Sequence, residues 1–243
     1  MGTRMALVGA FLLVAAVAAA QGVEKDVVET SAGKLEITFL GHGSLFFGHG
    51  GRVIHVDPFG RVADYSRLPK ADLVLITHAH GDHLDGAALA AIRTPQTVVV
   101  AAPDCEGKLE GATILKNGEQ RTLAGVAVTA VPAYNLVNKR PDGAPFHPQG
   151  GGNGYVIGFG DTRVYVAGDT ENVPEMKALT GIAVAFLPMN LPFTMTPEMV
   201  ADAARGFRPR ILYPYHFGET DPQRLVELLK GEKGIEVRVR SMK

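Results

Sequence analysis

Three imidazoles and one carboxylate, His78, His80, Asp82 and His83, fall within six positions of the run LVLITHAHGDHLD from Leu73 to Asp85. Nitrogen and oxygen donors packed this closely suit zinc or a similar transition metal. The residues before them, Leu73–Ile76, are a continuous apolar run with the pattern of a strand buried on both faces. On an irregular loop leaving such a strand, His78 and His80 can turn to one side while Asp82 and His83 turn to the other. Two ions side by side suit that loop better than one.

Five of the eight histidines lie at the C-terminal ends of expected strands or in a long loop: His78, His80, His83, His147 and His216. Asp82 and Asp169 occupy the same kind of position, and convergence at strand ends is how β/α architectures build sites. Two transition metals held by imidazoles and a shared carboxylate account for all seven residues. His42, between two glycines at a strand end, could orient a ligand or be a structural histidine. Asp57 could orient a metal-bound histidine or cap its loop. His49 is expected to be exposed in a turn, and His55 packed within a strand. Tyr134, Asn135, Asn190, Thr194 and Tyr215 lie in loops expected to rim the site.

These side chains need a scaffold, and the pattern supplies one. Leu35–Leu40, Ser44–Gly48 and Arg52–Val56 read as an antiparallel meander, with a tight turn at Gly50-Gly51. Strand Leu73–Ile76 then leads through the histidine loop to a helix over Gly86–Arg93 capped by Asp85. Strand Thr97–Ala101, a short helix near Pro103–Leu109 and strand Val126–Val131 follow. Pro132 to Asn153 is a long loop rich in Gly and Pro, a length that is usually functional or disordered. Tyr155–Phe159 and Arg163–Ala167 form a hairpin, followed by helix Val173–Leu179 and strand Ile182–Leu187. Thr196 caps a helix that begins at Pro197, where a missing N–H costs nothing. Strand Ile211–Tyr215, a helix from Asp221-Pro222 to Leu229 and strand Val237–Val239 complete the chain. The order, hairpins then β/α units, twice, predicts an α/β fold of two similar halves: a four-layer αββα sandwich.

Residues 1–20 have the pattern of a secretory signal: Arg4, an apolar stretch from Met5 to Val17, and Ala18-Ala19-Ala20 before Gln21. The apolar stretch is short of the ~20 residues a membrane span needs. The expectation is cleavage before Gln21, a periplasmic or secreted protein, no stable membrane span after cleavage and a hydrolytic domain over residues 21–243. The formal charge of −1 becomes −2 once Arg4 is removed, so polyanions such as nucleic acid are not expected partners. The single cysteine, Cys105, can form no internal disulfide and is expected to be a small buried hydrophobe.

THAHGDHLD, the later His147, Gly168-Asp169-Thr170 and His216 together resemble the metallo-β-lactamase fold superfamily, in that family's order and over roughly Leu35 to Val239. GHGSLFF, HVDPF and YPYHFG are most similar to the small hydrolases related to ascorbate-6-phosphate lactonase. The resemblance implies that His78, His80 and His147 hold one metal, that Asp82, His83 and His216 hold a second, and that Asp169 bridges them. Family members of the clinical β-lactam-hydrolysing type carry Cys where this chain has Asp169. Oxygen-reducing di-iron members carry an acidic residue where it has His80. Neither activity is favoured.

The expected function is therefore that of a binuclear metal-dependent hydrolase. Two divalent ions, zinc by default with manganese or iron also fitting, would share a water whose pKa falls from ~16 towards ~7. Asp82 and Asp169 would be the catalytic carboxylates, positioning the nucleophile and taking part in proton transfer. Lactones, phosphodiesters, thioesters and amides are all compatible small-molecule substrates. An exported β-lactamase and a non-catalytic metal-dependent binding protein are the alternatives, and a binder would have no need of an open dinuclear site.

Overall fold

The computed structural model describes residues 23–243. The expected targeting segment over residues 1–20 lies outside the described residues. Among the described residues, no helix is long and apolar enough to cross a membrane.

Among the described residues, fourteen strands form two seven-stranded sheets that follow the same plan. The first contains β1 (Lys25–Thr30), β2 (Gly33–Gly41), β3 (Ser44–His49), β4 (Arg52–Val56), β5 (Leu73–Ile76), β6 (Val98–Ala101) and β7 (Thr113–Ile114), side by side in chain order. Neighbours are antiparallel as far as β4 and parallel from β4 to β7. The second contains β8 (Gln120–Leu123), β9 (Val126–Ala133), β10 (Gly152–Phe159), β11 (Thr162–Val166), β12 (Ile182–Pro188), β13 (Ile211–Tyr215) and β14 (Glu236–Val237). It too is antiparallel for four strands and parallel for the rest. The predicted two similar halves are these two sheets.

The alternation of β5 shows how the layers form. Leu73 and Leu75 point into the cluster between the sheets, where they join Ile37, Phe47, Tyr155 and Phe186. Val74 and Ile76 point the other way, onto Leu89 and Ile92 of helix α1 (Gly86–Ile92). An apolar residue at every position of β5 is therefore required by cover on both faces. Phe47 meets Phe159 and Phe186 across the interlayer with ring centroids 5.5 and 6.1 Å apart. On the far side, α2 (Pro174–Lys177), α3 (Pro197–Phe207) and α4 (Gln223–Leu229) bury Met176, Val200, Phe207 and Leu225 against the second sheet. The outcome is the expected helix–sheet–sheet–helix sandwich.

The caps expected from sequence form as well. Asp85 accepts from the backbone N–H groups of Ala87 and Ala88, and Thr196 accepts from that of Met199. Three edge elements escaped the sequence pattern. The expected strands begin only at Leu35 and include neither β7 nor β8. The region near Pro103–Leu109 makes only a 3-10 turn over Pro103–Cys105. The chain leaves helical geometry at Glu106 (φ −56°, ψ 132°) and turns at Gly107 (φ 74°), which stops a longer helix. Cys105 is fully buried, as expected, and burial together with Asp104 holds its thiol far above the usual range.

Candidate metal centre

The parallel strands point their C-terminal ends to one rim of the sandwich, and the loops there carry the chemistry. β4 delivers Asp57, β5 delivers Thr77 to His83, β11 delivers Asp169 and β13 delivers His216. The turn between β2 and β3 adds His42, and the segment between β9 and β10 adds His147. Three of these residues, His42, Asp57 and His216, have positive φ values of 55°, 45° and 45°. Non-glycine residues held there cost free energy that the surrounding contacts must supply, and such strain collects at functional sites.

Two glycines let the loops close. A Cβ on Gly43 would lie 2.8 Å from the His83 ring. At Gly168 (φ 66°) it would lie 2.7 Å from the Asn153 carbonyl oxygen, so the chain next to Asp169 needs glycine on both counts.

All seven ligands proposed from sequence converge. Asp169 stands in the middle, its two oxygens facing different groups. Asp169 Oδ2 lies 3.4 Å from His147 Nε2 and 3.9 Å from His78 Nε2, and His78 Nε2 is 3.0 Å from His80 Nδ1. Asp169 Oδ1 lies 3.6 Å from His83 Nε2 and 2.7 Å from His216 Nδ1. Asp82 Oδ2 is 3.8 Å from His83 Nε2 and 3.9 Å from His216 Nε2. Two donors each ~2.1 Å from a tetrahedral ion stand about 3.4 Å apart, so most of these gaps suit pairs of ligands around a cation better than hydrogen bonds.

The imidazoles are held from behind. Asp57, fully buried, accepts from His83 Nδ1 at 2.8 Å, from Thr77 N at 2.8 Å and from Thr77 Oγ1 at 2.6 Å. Thr77 Oγ1 in turn is 3.0 Å from His78 Nδ1, and Asn135 Oδ1 is 2.9 Å from His147 Nδ1. An oxygen acceptor at Nδ1 places the proton there and leaves Nε2 with its lone pair. His83 Nε2 and His147 Nε2 are both buried without a hydrogen-bond partner. An orphaned buried donor or acceptor is costly, and a cation between these nitrogens and Asp169 would satisfy both. The residues present fit a metal.

The electrostatics agree. Burial works against charge on His83, yet Asp169 and Asp57 push it up to about 9, which shows that positive charge is favoured at this point. Burial lowers His147 to about 4, and it lowers His78 and His80 as well, so these imidazoles are neutral and able to ligate. Burial also opposes ionisation of Asp169 and Asp82. The imidazoles of His216 and His83 around the first, and the His42 hydrogen bond to the second, nevertheless hold both carboxyls far below their usual range.

The supporting residues match expectation in part. His42 is beside the site, with Nε2 2.9 Å from Asp82 Oδ2 and its ring 3.7 Å from that of His216. Asn190 lines the cleft, whereas Asn135 sits behind His147. Tyr134, Thr194 and Tyr215 are buried rather than at the rim. Tyr215 Oη accepts from Gly168 N at 2.8 Å and so braces the Asp169 loop. His49 is half-buried at the end of β3, edge-on to Phe159 at 5.2 Å, because β1 and the second sheet close over a turn that looked free. His55 is packed as expected, against Phe46.

Glu171 was not singled out from sequence. It is fully buried, and its carboxylate accepts from the backbone N–H groups of Leu136, Val137 and Asn138 at 2.7–2.8 Å and from Asn135 Nδ2 at 3.2 Å. It thereby anchors the loop whose Asn135 aims His147. Its one sequence signal is an acidic residue directly after Gly168-Asp169-Thr170.

A sandwich of two mixed sheets with a histidine–aspartate cluster at its strand ends defines a metal-dependent hydrolase of the metallo-β-lactamase class. Residues 36–216 match the beta-lactamase superfamily domain, and the chain belongs to that superfamily. A UPF0173 metal-dependent hydrolase of Thermococcus kodakarensis is 33% identical over 77% of this chain and 87% of its own length. One from Methanopyrus kandleri is 32% identical over 84% and 95%. Among solved structures, a protein of Parabacteroides distasonis described as a metal-dependent hydrolase is 45% identical. It covers 91% of this chain and all of its own, with a TM-score of 0.86. A metallo hydrolase from Ignicoccus hospitalis is 26% identical, with a TM-score of 0.70 over 86% of this chain and 95% of its own.

Proposed function

We propose that this enzyme is a binuclear hydrolase of small molecules with an ester-type bond, acting outside the cytoplasm. The observation that carries the binuclear reading is Asp169, whose two carboxylate oxygens face two separate imidazole groups. His78, His80 and His147 would hold one ion, and Asp82, His83 and His216 the other, with Asp169 between them. A pair of divalent cations, zinc by default from the donor set with manganese or iron as alternatives, supplies Lewis acidity and water acidic enough to act as a nucleophile near pH 7.

The protein's own groups do the rest. The Asp82 side chain is 38% exposed and Asp169 only 4%, so Asp82 is the carboxylate that meets water in the cleft. Its Oδ2 is fixed by His42 Nε2, which keeps it ionised and oriented to position the nucleophilic water. Asp169, sealed beneath, holds its charge between the two imidazole groups. Asp57, Thr77 and Asn135 prevent the imidazoles from swinging or changing tautomer. A cleft of about 310 Å³ opens onto these groups, a size that fits a small substrate.

Elemental analysis of protein purified under metal-replete conditions tests this reading, and close to two ions per chain are expected. His147→Ala should lower the content towards one. Protein that holds no metal, or one ion that survives removal of either group, overturns it. Export rests on the sequence pattern of residues 1–20, and the mature protein recovered from a Gram-negative host should begin at Gln21 outside the cytoplasm. Intact Met1 on soluble cytoplasmic protein would refute that part.

A further inference from the structure

The mouth of the cleft carries a charge and an apolar surface that the chemistry above leaves unused. Arg140 lines the cleft together with Phe146 and Phe193. Its guanidinium lies 5.3 Å over the Phe146 ring and donates to the Phe146 carbonyl at 3.3 Å, while Phe146 meets Phe193 edge-on at 5.0 Å. Among the described residues, no carboxylate lies within ion-pair distance of Arg140. The turn it sits on is a built one. Arg140 N donates to Ala144 O, Gly143 N donates to Arg140 O, and Lys139 bridges Pro145. An exposed guanidinium at the mouth of the cleft, steadied by Phe146 but without a carboxylate partner, is poised for an external anion.

The apolar part is equally localised. Among the described residues, five large hydrophobic side chains are exposed, and four of them are Leu136 (47%), Val137 (72%), Leu191 (44%) and Phe193 (41%). All four belong to two loops stitched together at the rim, where Asn135 Nδ2 donates to Phe193 O at 2.9 Å and Asn138 Nδ2 to Thr194 O at 2.8 Å. Exposed apolar residues gathered in this way mark a binding surface, whereas single scattered ones do not.

We infer that the substrate is an amphiphilic anion: its apolar chain lies along Phe146 and Phe193, and a negatively charged group remote from the scissile bond pairs with Arg140. This rests on the hydrolase reading above and adds the substrate class. Arg140 is a specificity-determining residue, since the charge it reads is not the bond that breaks.

Calorimetric titration of the metal-loaded mature protein with azelate and with nonanoate tests the inference without requiring turnover. The two carry the same chain and one common carboxylate for the metal centre, and azelate adds a second carboxylate at the far end. Wild type should bind azelate at least ~10-fold more tightly than nonanoate, the scale of a charge-assisted pair in a partly shielded cleft. Arg140→Gln should erase that difference, and Phe193→Ser should weaken both ligands. Equal affinities in wild type, no binding of either chain, or an azelate preference that survives Arg140→Gln each overturn the inference. A hydrolase that turns over neutral esters with equal ligand affinities would retain its proposed function and lose only this substrate class. An inactive protein with the azelate preference would do the reverse.

Discussion

Replacing Asp57 with Asn isolates the role of the buried carboxylate behind the metal centre. Asn has nearly the same volume and tolerates the positive φ of 45° at this position, so the backbone should not move. What changes is the acceptor set. Asp57 Oδ2 receives His83 Nδ1–H and the Thr77 hydroxyl, and Oδ1 receives the Thr77 backbone N–H. If the amide nitrogen takes the Oδ2 place, His83 must accept at Nδ1 and carry its proton on Nε2, the nitrogen that faces Asp169 and Asp82. If the amide turns round, the nitrogen meets the Thr77 N–H and leaves a buried donor unsatisfied, at a cost of about 1–3 kcal/mol. The first arrangement removes a proposed ligand. Losing support of this kind lowers metal affinity by roughly 10–100-fold, about 1.4–2.7 kcal/mol. The assay is chelator competition for zinc together with urea unfolding of the metal-free protein. The expected result is a loss in affinity of that size, or an equivalent loss of stability, divided between the two according to which way the amide points. Affinity and stability both at wild-type values would refute the claim that Asp57 sets the His83 tautomer.

Removing the two proposed catalytic carboxylates should separate activity from folding. Asp82→Asn and Asp169→Ala should each lower turnover of any identified substrate by at least ~100-fold, while thermal unfolding stays cooperative, because both residues lie on loops at strand ends. Near-native turnover with full metal content would show the roles to be misassigned. A pH effect is expected from His55, which burial lowers from 6.5 to about 4 against the opposing hydrogen bond to the Pro69 carbonyl. The unfolded chain then binds the extra proton between those values, so this contribution is intact above pH 6.5 and is lost as pH falls towards 4. Between pH 7 and pH 5 it should cost about 2 kcal/mol. Urea unfolding of wild type and His55→Phe at both pH values measures it, and an equal acid loss in the two proteins would disprove it.

The histidine loop could be read from sequence because its ligands are near neighbours: His78, His80, Asp82 and His83 share one strand exit, and chemistry and spacing coincide. The two-halved sandwich could be read for a similar reason. Strands such as Leu73–Ile76 and Ile182–Pro188 are apolar throughout because they are covered on both faces, and that pattern needs no partner to be recognised. The edge strands were harder. Gln120–Leu123 is mostly exposed and carries little apolar signal, so it becomes a strand only through its ladder with β9.

Other roles came from pairings that sequence order does not predict. Asp57 reaches His83 across 26 residues, Glu171 reaches Leu136, Val137 and Asn138 across 33 to 35, and Tyr215 reaches Gly168 across 47. Tyr134, Thr194 and Tyr215, polar residues in apparent loops, turned out to be buried braces. Arg140 and Phe193 became parts of one cleft when their two loops were stitched together. Local spacing determines which donor atoms a segment offers. Which of them lose water, which nitrogen of an imidazole keeps its lone pair and which cation is left without a partner are decided by desolvation and hydrogen-bond satisfaction, and those exist only once the two sheets have closed on each other.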